Sequence, residues 1–316
     1  MNEKSIWSIP YIDQPMQFWG KLKENFGDYI DEVYLPLPLD KFSSGRPEQP
    51  DRFVTEFLGK TPFKISFLIN PIFFEKPVDE ISESITGRLE EAFHRYNVKS
   101  VTVSNLMLAE YIKKHIPEIQ LNASVVMDIF KPAQLCYIND VFDILVPSSR
   151  ITRDIVSLQN LKDNFNGRIK LIVNEGCLPH CVFRIQHFFE MAGKTAYPKS
   201  LCTSVLDKDP WLRLTGSWIL PQHINMYDGV YDKLKLSGRV TLQDPDYYTD
   251  VLSAYIYRKP RRPHKIGGGP VCAKLSMHID DDFFNTILRC EKNCNTCTIC
   301  REKYETYLNH LSSSAN

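Results

Sequence analysis

The chain has 316 residues, of which 43% are hydrophobic and 24% are charged, a composition that suits one large globular α/β domain or two smaller ones. Basic and acidic residues balance at 38 each, so the formal net charge is zero and the sequence carries no strong nucleic-acid or membrane-surface signature. The one basic run, residues 258–265, is short and interrupted by prolines, which favours a solvated connector over a site for an anionic partner.

Short apolar runs alternate along the chain with longer segments of helical period. Between Ile81 and Tyr96 the apolar residues are spaced to line one helix face, and a second helix over residues 106–116 is ended by Pro117. The predicted strands occupy residues 8–12, 32–37, 64–70, 100–104, 120–126, 143–146, 168–174 and 233–237.

This alternation predicts a parallel sheet built from βαβ units. Eight strands in about 240 residues is the count and length of a (β/α)8 barrel. An open doubly wound sheet would carry a Gly-rich phosphate-binding turn after its first strand, and no such turn is present. The three glycines at 267–269 follow a Pro-rich connector, so they are expected to form a flexible joint. We predict a TIM-like (β/α)8 barrel over residues 1–265 and a short Cys-rich C-terminal extension over residues 266–316, packed near the barrel mouth.

Two long connections interrupt the regular pattern. Residues 40–52 follow the second predicted strand and are rich in Pro, Ser and Gly, and residues 174–222 join the seventh and eighth strands and contain three cysteines. Both fall where the loops of a barrel face its active-site mouth. Long loops inside compact domains are usually functional, so the active site is expected here.

The nine cysteines are interpreted for a reducing compartment. Residues 1–11 lack the basic segment and apolar core of a signal peptide, and no apolar run approaches the ~20 residues of a membrane span. We therefore expect a cytoplasmic protein without a membrane partner. In that compartment clustered cysteines bind metal or perform redox chemistry more often than they form disulfides.

Three cysteines lie in the loop after the seventh strand: Cys177, Cys181 and Cys202, which we call the mouth set. A C-x3-C pair cannot hold a metal ion alone and needs further ligands. The alternative is a pair of buried free thiols packed as small apolar groups, but Gly176 and Pro179 indicate a loop and not a core segment. The mouth set is therefore predicted to ligate a metal centre.

Four more cysteines lie within eleven residues near the end of the sequence. Their spacing, C-x3-C-x2-C-x2-C, suits either a zinc site or a 4Fe-4S cluster and does not choose between them. The first three also match the signature of radical S-adenosylmethionine enzymes, but that motif belongs after the first barrel strand. Either this tail set holds its own metal, or one of its members or Cys272 donates the ligand that the mouth set lacks. The tail set is Cys290, Cys294, Cys297 and Cys300.

The mouth-set loop carries a resemblance to a known family. Residues 173–177, Val-Asn-Glu-Gly-Cys, with Cys181 and Cys202 downstream, resemble the cysteine-rich core of peptidase family U32. Residues 218–223 and 233–239 are similar to that family as well, and the second of these segments ends in Lys-Leu-Ser-Gly-Arg. The resemblance covers roughly residues 9 to 257.

The resemblance implies a barrel and, for several members, a 4Fe-4S cluster used in oxygen-independent hydroxylation of RNA bases or of ubiquinone precursors. The family is named after its collagenase-like members, yet many relatives are not convincing proteases. It implies that Cys177, Cys181 and Cys202 are cluster ligands. The chain departs from the family pattern in lacking a fourth cysteine in this block, which makes Cys272 or the tail set the supplier.

Five other polar residues are candidates for catalysis because they lie in or beside these loops. Glu175 could be a general acid or base if burial raises its pKa, or it could cap the loop. Arg184 and His187 share a helix face, where with His180 they could bind an anionic substrate or supply a proton; the alternative is a helix that caps the barrel with His187 packed and Arg184 solvated. Arg239, at the end of the eighth strand, is placed to bind a phosphate or carboxylate group.

Three functions of different classes follow from these features. The first is an iron–sulfur enzyme, with one cluster or two, that modifies a small molecule, a peptide or RNA by redox or oxygen-insertion chemistry. The second is a peptidase or other hydrolase with structural thiols, although no Ser/His/Asp arrangement or H-E-x-x-H helix is visible. The third is a non-enzymatic partner subunit whose tail set holds structural zinc. The substrate, and any second subunit that completes the site, are not defined by the sequence.

Overall fold

The computed structural model describes residues 6–37, 52–192 and 202–314. Eight parallel strands form a closed barrel in which each strand pairs with the next one along the chain and the last pairs with the first. The predicted (β/α)8 barrel is confirmed. The strands are β1 (Trp7–Pro10), β2 (Ile30–Pro36), β3 (Ile65–Ile69), β4 (Val98–Val103), β5 (Gln120–Ala123), β6 (Ile144–Leu145), β7 (Arg168–Ile172) and β8 (Lys233–Lys235).

Helices cover the outside of the barrel and continue beyond its last strand. The connection between β5 and β6 contains only the short 3-10 helices Val125–Met127 and Pro132–Tyr137. Among the residues described, no helix is long and apolar enough to cross a membrane. The α-helices are α1 (Met16–Phe26), α2 (Val54–Lys60), α3 (Val78–Arg95), α4 (Leu106–His115), α5 (Ile155–Asn164), α6 (Arg184–Ala192), α7 (Cys202–Lys208), α8 (Pro245–Ile256), α9 (Pro270–Ala273), α10 (Asp281–Leu288) and α11 (Ile299–Ser314).

The strands are shorter than predicted at the mouth end. β7 ends at Ile172, and Asn174 beyond it forms an isolated antiparallel bridge with Trp218 of the following connection. Val125 and Val126, predicted as the end of the fifth strand, instead belong to the 3-10 turn Val125–Met127, which is capped by the Ser124 hydroxyl. The polar loop predicted over residues 40–52 lies, apart from Arg52, outside the described residues.

The apolar residues that the sequence places on one helix face are the residues through which α3 packs on the barrel. α3 buries Ile81, Ile85 and Leu89 against the strands, at the i, i+4, i+8 positions of one face. Burying an Ile or Leu side chain contributes roughly 1.5–3 kcal/mol, so this face holds the helix in place more firmly than helix propensity does.

The interior of the barrel contains a buried ion pair. Lys170 of β7 lies with its Nζ 2.5 Å from Oε1 of Glu32 on β2, and both side chains are almost wholly buried. The Ser8 hydroxyl donates to the same carboxylate at 2.7 Å, and the Ser100 hydroxyl lies 2.9 Å from its other oxygen. Asn122 of β5 donates in turn to Ser100 at 3.1 Å. One polar network therefore joins β1, β2, β4, β5 and β7 across the barrel.

Removing one member of this pair is expected to be costly, because a lone charge would remain in the barrel. We expect Lys170→Met to lower the free energy of unfolding by about 3–5 kcal/mol in urea titrations, and Glu32→Leu/Lys170→Met to recover most of that loss. Lys60→Met is the matched control, since its pair with Glu56 is exposed and contributes less than about 1 kcal/mol. Equal losses in Lys170→Met and Lys60→Met would contradict the assignment.

The same pair predicts an acid dependence of stability. Burial alone would raise the pKa of the Glu32 carboxyl, but the Lys170 ammonium, with the Ser8 hydroxyl and Lys233, outweighs burial and lowers it from 4.5 to about 2. Because the folded pKa is the lower one, the stability from this ionised carboxylate is complete above about pH 4.5 and is lost as the pH falls toward 2. Unfolding free energies measured across this window should fall more steeply in the wild type than in Glu32→Gln, and parallel curves would refute the prediction.

Candidate functional site

The connection between β7 and β8 is anchored to the barrel mouth by the side chain of Asn174. Its amide nitrogen donates to the carbonyls of Ser237, at 2.7 Å, and Ile266, at 3.1 Å, and its amide oxygen accepts from the Ser237 N–H at 2.7 Å. Asn174 is fully buried. One side chain thus joins the ends of β7 and β8 to residues 257–269, the segment between α8 and α9 that we call the C-terminal connector. The loop that carries the mouth set therefore leaves the barrel at a defined place.

Glycines bring the C-terminal connector into direct contact with this loop. A Cβ on Gly176 would lie 2.1 Å from the backbone nitrogen of Gly269, and a Cβ on Gly268 would lie 2.5 Å from the Cys272 Sγ. Gly267 has a φ of 69°, in the left-handed region that favours glycine. Residues 267–269, expected to be a flexible joint, are instead packed against the loop. The packing holds the fully buried Cys272 beside the start of this loop.

The mouth set occupies the start and the middle of this connection. The Cys177 carbonyl accepts from the Ser217 N–H at 2.8 Å, which ties the start of the connection to its later part. Burial raises the pKa of the Cys181 thiol, and Cys202, the first residue of α7, lies within electrostatic reach of it. All nine cysteines are free of disulfides. Cys181 and Cys202 are therefore close enough to influence one another electrostatically.

The five candidate catalytic residues surround the same mouth but differ in their surroundings. Glu175 is half-buried and lies within electrostatic reach of Cys272. His180 is exposed on the loop, and desolvation together with Arg150 lowers its pKa. His187 is half-buried on α6, and Arg239 is half-buried in the turn after β8.

Arg184 is held inside the structure and not at its surface. Its guanidinium donates to the Ser149 hydroxyl and lies 3.6 Å from Oδ1 of Asp128. Asp128 has a left-handed backbone, with a φ of 55°, and also pairs with Arg150 at 2.8 Å. The network links the loops after β5 and β6 to α6, so the Arg184 charge is already compensated within the protein.

The tail set lies against the β7–β8 connection. α11 packs on the 3-10 turn Pro210–Thr215, with Arg301 stacked 5.0 Å from the Trp211 ring centroid. The hydroxyls of Tyr307 and Ser276 lie 2.7 Å apart. Through these contacts the chain beyond β8 folds back beside the barrel mouth.

The four tail thiols are close enough to influence one another electrostatically. Burial raises the pKa of Cys300 to about 12, and its electrostatic neighbours are Arg153 and the other three tail cysteines. Lys292, inside the tail loop, lies 3.4 Å from the Cys290 Sγ and also within electrostatic reach of His180 in the mouth loop. Across the described ranges, however, no three His, Cys, Asp or Glu side chains stand close enough together to hold a metal ion. The tail set thus fits zinc or a cluster in the number and type of its ligands, but the sulfurs would have to move together to bind either.

Comparisons with known proteins agree with the barrel. No family model matches the chain. An uncharacterized protease of Methanocaldococcus jannaschii is 25% identical over 224 residues, a match that covers 67% of this chain and 67% of the relative. The solved structure of a U32 peptidase matches with a TM-score of 0.54, at 10% identity over 75% of this chain and 94% of that one, a likeness of fold alone. The resemblance to peptidase family U32 is confirmed.

One residue of this barrel that the sequence did not single out is Arg153. It lies in the turn before α5 and is almost fully buried, with its guanidinium 3.8 Å from the ring centroid of Trp218. Burial lowers its pKa to about 10, and its electrostatic neighbours include Cys300, Cys272 and Cys290. Nothing in the sequence separates it from a surface arginine in a polar turn, because its partners lie more than 60 residues further along the chain.

The contact between Gly268 and Cys272 predicts that a methyl group added at Gly268 destabilises the fold, whereas one added at Gly87 does not. Gly268→Ala should lower the free energy of unfolding by about 1–3 kcal/mol, because the new Cβ overlaps the buried Cys272 side chain. Gly87→Ala is the matched control: it lies inside α3 with nothing within 4 Å of its Cβ, and it should gain about 0.5–1 kcal/mol. Urea titration of both variants measures the difference, and a stabilised Gly268→Ala would show that the connector is loosely packed.

Proposed function

We propose that the chain is an iron–sulfur enzyme of the U32 type that modifies a small molecule, a peptide or RNA at the barrel mouth by redox or oxygen-independent hydroxylation-type chemistry. The observation that carries the proposal is the packing of α11, the helix that contains Cys300, against the β7–β8 connection that carries the mouth set. A 4Fe-4S cluster in this place would supply an electron-transfer or Lewis-acid centre to a substrate in the mouth.

The tail set is the proposed site of the first cluster because it has all four thiol ligands. The mouth set is proposed as part of a second centre, and Cys272 is the candidate for its fourth ligand, since it is buried in the segment that packs against the start of the mouth loop. Zinc in the tail set is the alternative occupant. The proposed location is the cytoplasm, whose reducing conditions keep such thiols available as ligands.

Other residues of the mouth are proposed to handle the substrate. Arg239, in the turn after β8, has the planar fork of donors that suits bidentate capture of a phosphate or carboxylate group. The lowered pKa of His180 keeps its imidazole neutral near pH 7, so it can accept a proton. Glu175 is half-buried in the loop directly after β7, and its carboxylate is proposed to transfer a proton. Because Arg184 is paired with Asp128, its proposed role is to position α6.

Peptide hydrolysis is a second candidate, and the relatives favour it. The Methanocaldococcus jannaschii protein is named a protease, and the protein of similar fold is named a U32 peptidase. Under this alternative the thiols are structural. Peptide cleavage that persists in Cys177→Ala/Cys181→Ala would support it over the iron–sulfur proposal.

Metal analysis of anaerobically purified protein tests the proposal. The wild type should be brown, absorb broadly near ~400 nm and hold about four iron atoms per chain for each cluster. Replacing Cys290, Cys294, Cys297 and Cys300 by serine should remove one cluster. Cys136→Ser is the matched control, because that thiol is exposed and lies outside both sets.

The same measurements separate the alternatives. Iron retained in the tail variant but lost when Cys177, Cys181 and Cys202 become serine would move the cluster to the mouth set. Colourless protein with one tightly held zinc would overturn the iron–sulfur proposal and leave a partner subunit with structural zinc. Protein that binds neither metal would leave hydrolysis as the remaining candidate.

A further inference from the structure

We propose that Arg150, in the 3-10 turn Ser149–Ile151 after β6, binds a carboxylate group of the substrate at the barrel mouth. The inference rests on the proposed function and deepens it, because it names the chemical class that the mouth recognises: a small organic acid or the C-terminal carboxylate of a peptide. Arg150 follows the carboxyl end of β6, and barrels build their binding sites at the carboxyl ends of the strands. It is a second basic residue of the mouth, separate from Arg239 after β8.

The guanidinium of Arg150 is fixed along one edge and over one face. Its Nε donates to Oδ2 of Asp128 at 2.8 Å, and its central carbon lies 5.6 Å from the ring centroid of Phe130. The backbone N–H of Arg150 donates to the Ser148 hydroxyl at 3.2 Å, and that hydroxyl donates to Asp128. A side chain that is ordered before the ligand arrives loses less entropy on binding.

The outer end of the same guanidinium remains open to a ligand. Among the residues that the structure describes, neither Nη1 nor Nη2 of Arg150 makes a hydrogen bond, and 26% of the side chain is exposed. Arg184 differs, because its Nη1 donates to the Ser149 hydroxyl and only 4% of its side chain is exposed. Two coplanar N–H donors match the two oxygens of a carboxylate, so Arg150 has the geometry of a bidentate carboxylate site.

The charges at this place leave a positive charge without a full counter-charge. Asp128 is one carboxylate that faces two guanidiniums, because Nε of Arg184 lies 3.6 Å from its Oδ1. That Nε is buried and makes no hydrogen bond within the described ranges, so Arg184 depends on Asp128 for its compensation. Asp128 therefore cannot fully neutralise Arg150 as well. Two cations and one carboxylate give the group a net charge of one positive unit, which one carboxylate of a substrate would balance.

The other charged side chains near Arg150 do not change this balance. Lys131 lies with its Nζ 5.9 Å from the Phe130 ring centroid, so it adds a further cation, although an exposed one. Asp154 accepts from the N–H of Ser157 at 3.0 Å and from its hydroxyl at 2.7 Å, and it forms no ion pair with Arg150 in the part of the chain that is described. The surroundings of Arg150 thus favour an anion.

The backbone of Asp128 is strained in the way often found at binding sites. Its φ of 55° and ψ of 44° lie in the left-handed region, which is uncommon for residues other than glycine. Gln134 donates to the Asp128 carbonyl at 3.2 Å, and the Ser148 N–H donates to the Ile129 carbonyl at 2.8 Å, so the turn is fixed on both sides. In this conformation the Asp128 carboxylate reaches the loop after β6 and orients Arg150.

Arg150 lies beside the loop that carries the mouth set. The preceding residue, Ser149, accepts from the Arg184 guanidinium of α6, and its carbonyl accepts from the Ser217 hydroxyl at 2.8 Å. Burial, followed by the charge of Arg150, lowers the pKa of His180 in the same loop. A substrate whose carboxylate is held by Arg150 would therefore lie next to the connection between β7 and β8.

A single guanidinium fork suits a carboxylate better than a phosphate. A phosphate group presents three oxygens and carries up to about two negative charges at neutral pH. The turn Ser149–Ile151 has only three residues, too few to supply the backbone N–H groups with which a helix N-terminus binds phosphate. The Arg184 guanidinium is buried and bonded to Ser149, so it does not add a second fork. We therefore assign the site to a carboxylate.

Paired acid and amide probes test this assignment in anaerobically purified protein. Benzoate and benzamide represent a small acid, and acetyl-tetraalanine and its C-terminal amide represent the end of a peptide. We expect at least one acid to bind the wild type about ten- to a hundred-fold more tightly than its amide in isothermal titration calorimetry, because it adds charge-assisted hydrogen bonds. Arg150→Gln should abolish this preference. Arg150→Lys, which keeps the charge without the planar fork, should retain part of it.

Arg168→Gln is the matched control. Arg168 is the first residue of β7 and is exposed at the amino end of the strand, so its loss should leave the preference for the acid unchanged. Urea titration of each variant measures stability separately. Acid and amide are compared on the same protein, so a lower stability of Arg150→Gln does not alter the meaning of their ratio.

The outcomes separate this inference from the function on which it rests. Wild-type protein that binds neither acid more tightly than its amide overturns the carboxylate site, and so does a preference that persists in Arg150→Gln. Inorganic phosphate that displaces the bound acid at lower concentration than the acid itself requires also overturns it. Metal content is measured on the same preparations: an Arg150-dependent preference in protein without iron supports the carboxylate site while the iron–sulfur proposal fails, and iron-loaded protein without the preference overturns the inference alone.

Discussion

The ion pair between Glu32 and Lys170 is the interaction on which the placement of the candidate site depends. It joins two strands that are not neighbours in the barrel, β2 and β7, and β7 is the strand from which the mouth loop begins. The carboxylate also organises hydroxyls on β1 and β4, so strand register is set by polar contacts as well as by apolar packing. A barrel interior of this kind tolerates few substitutions, because each polar member depends on the others for its hydrogen bonds.

The molecule buries charge in two contrasting ways. Inside the barrel, a cation and a carboxylate compensate one another, and the network is complete in the protein alone. Beside the mouth, Arg153 is buried against the Trp218 ring and donates to the Leu214 and Trp218 carbonyls, and among the described residues no carboxylate pairs with it. The first arrangement neutralises its own charge, whereas the second spreads a buried positive charge over carbonyl dipoles and an aromatic ring.

The sequence predicted those features that depend on local pattern. Strand number and the buried face of α3 follow from the spacing of residue types within short windows. The pairing of Glu32 with Lys170 could not be predicted, because these residues lie 138 positions apart, although a charge within an apolar strand was a visible signal. Burial of Arg153 left no such signal. The glycines at 267–269 were misjudged because flexibility and close packing both require the absence of a Cβ, and only the neighbours distinguish them.

The contact between Gly176 and Gly269 has a consequence for how the protein is made. The connector and the tail are synthesised after all eight strands, and β1 cannot pair with β8 until more than 220 residues have been translated. The segment that packs against the mouth loop is therefore translated after all of the barrel strands. Any metal centre that uses both regions has to be loaded after translation, onto a barrel already formed, which makes loading a separate maturation step of the protein.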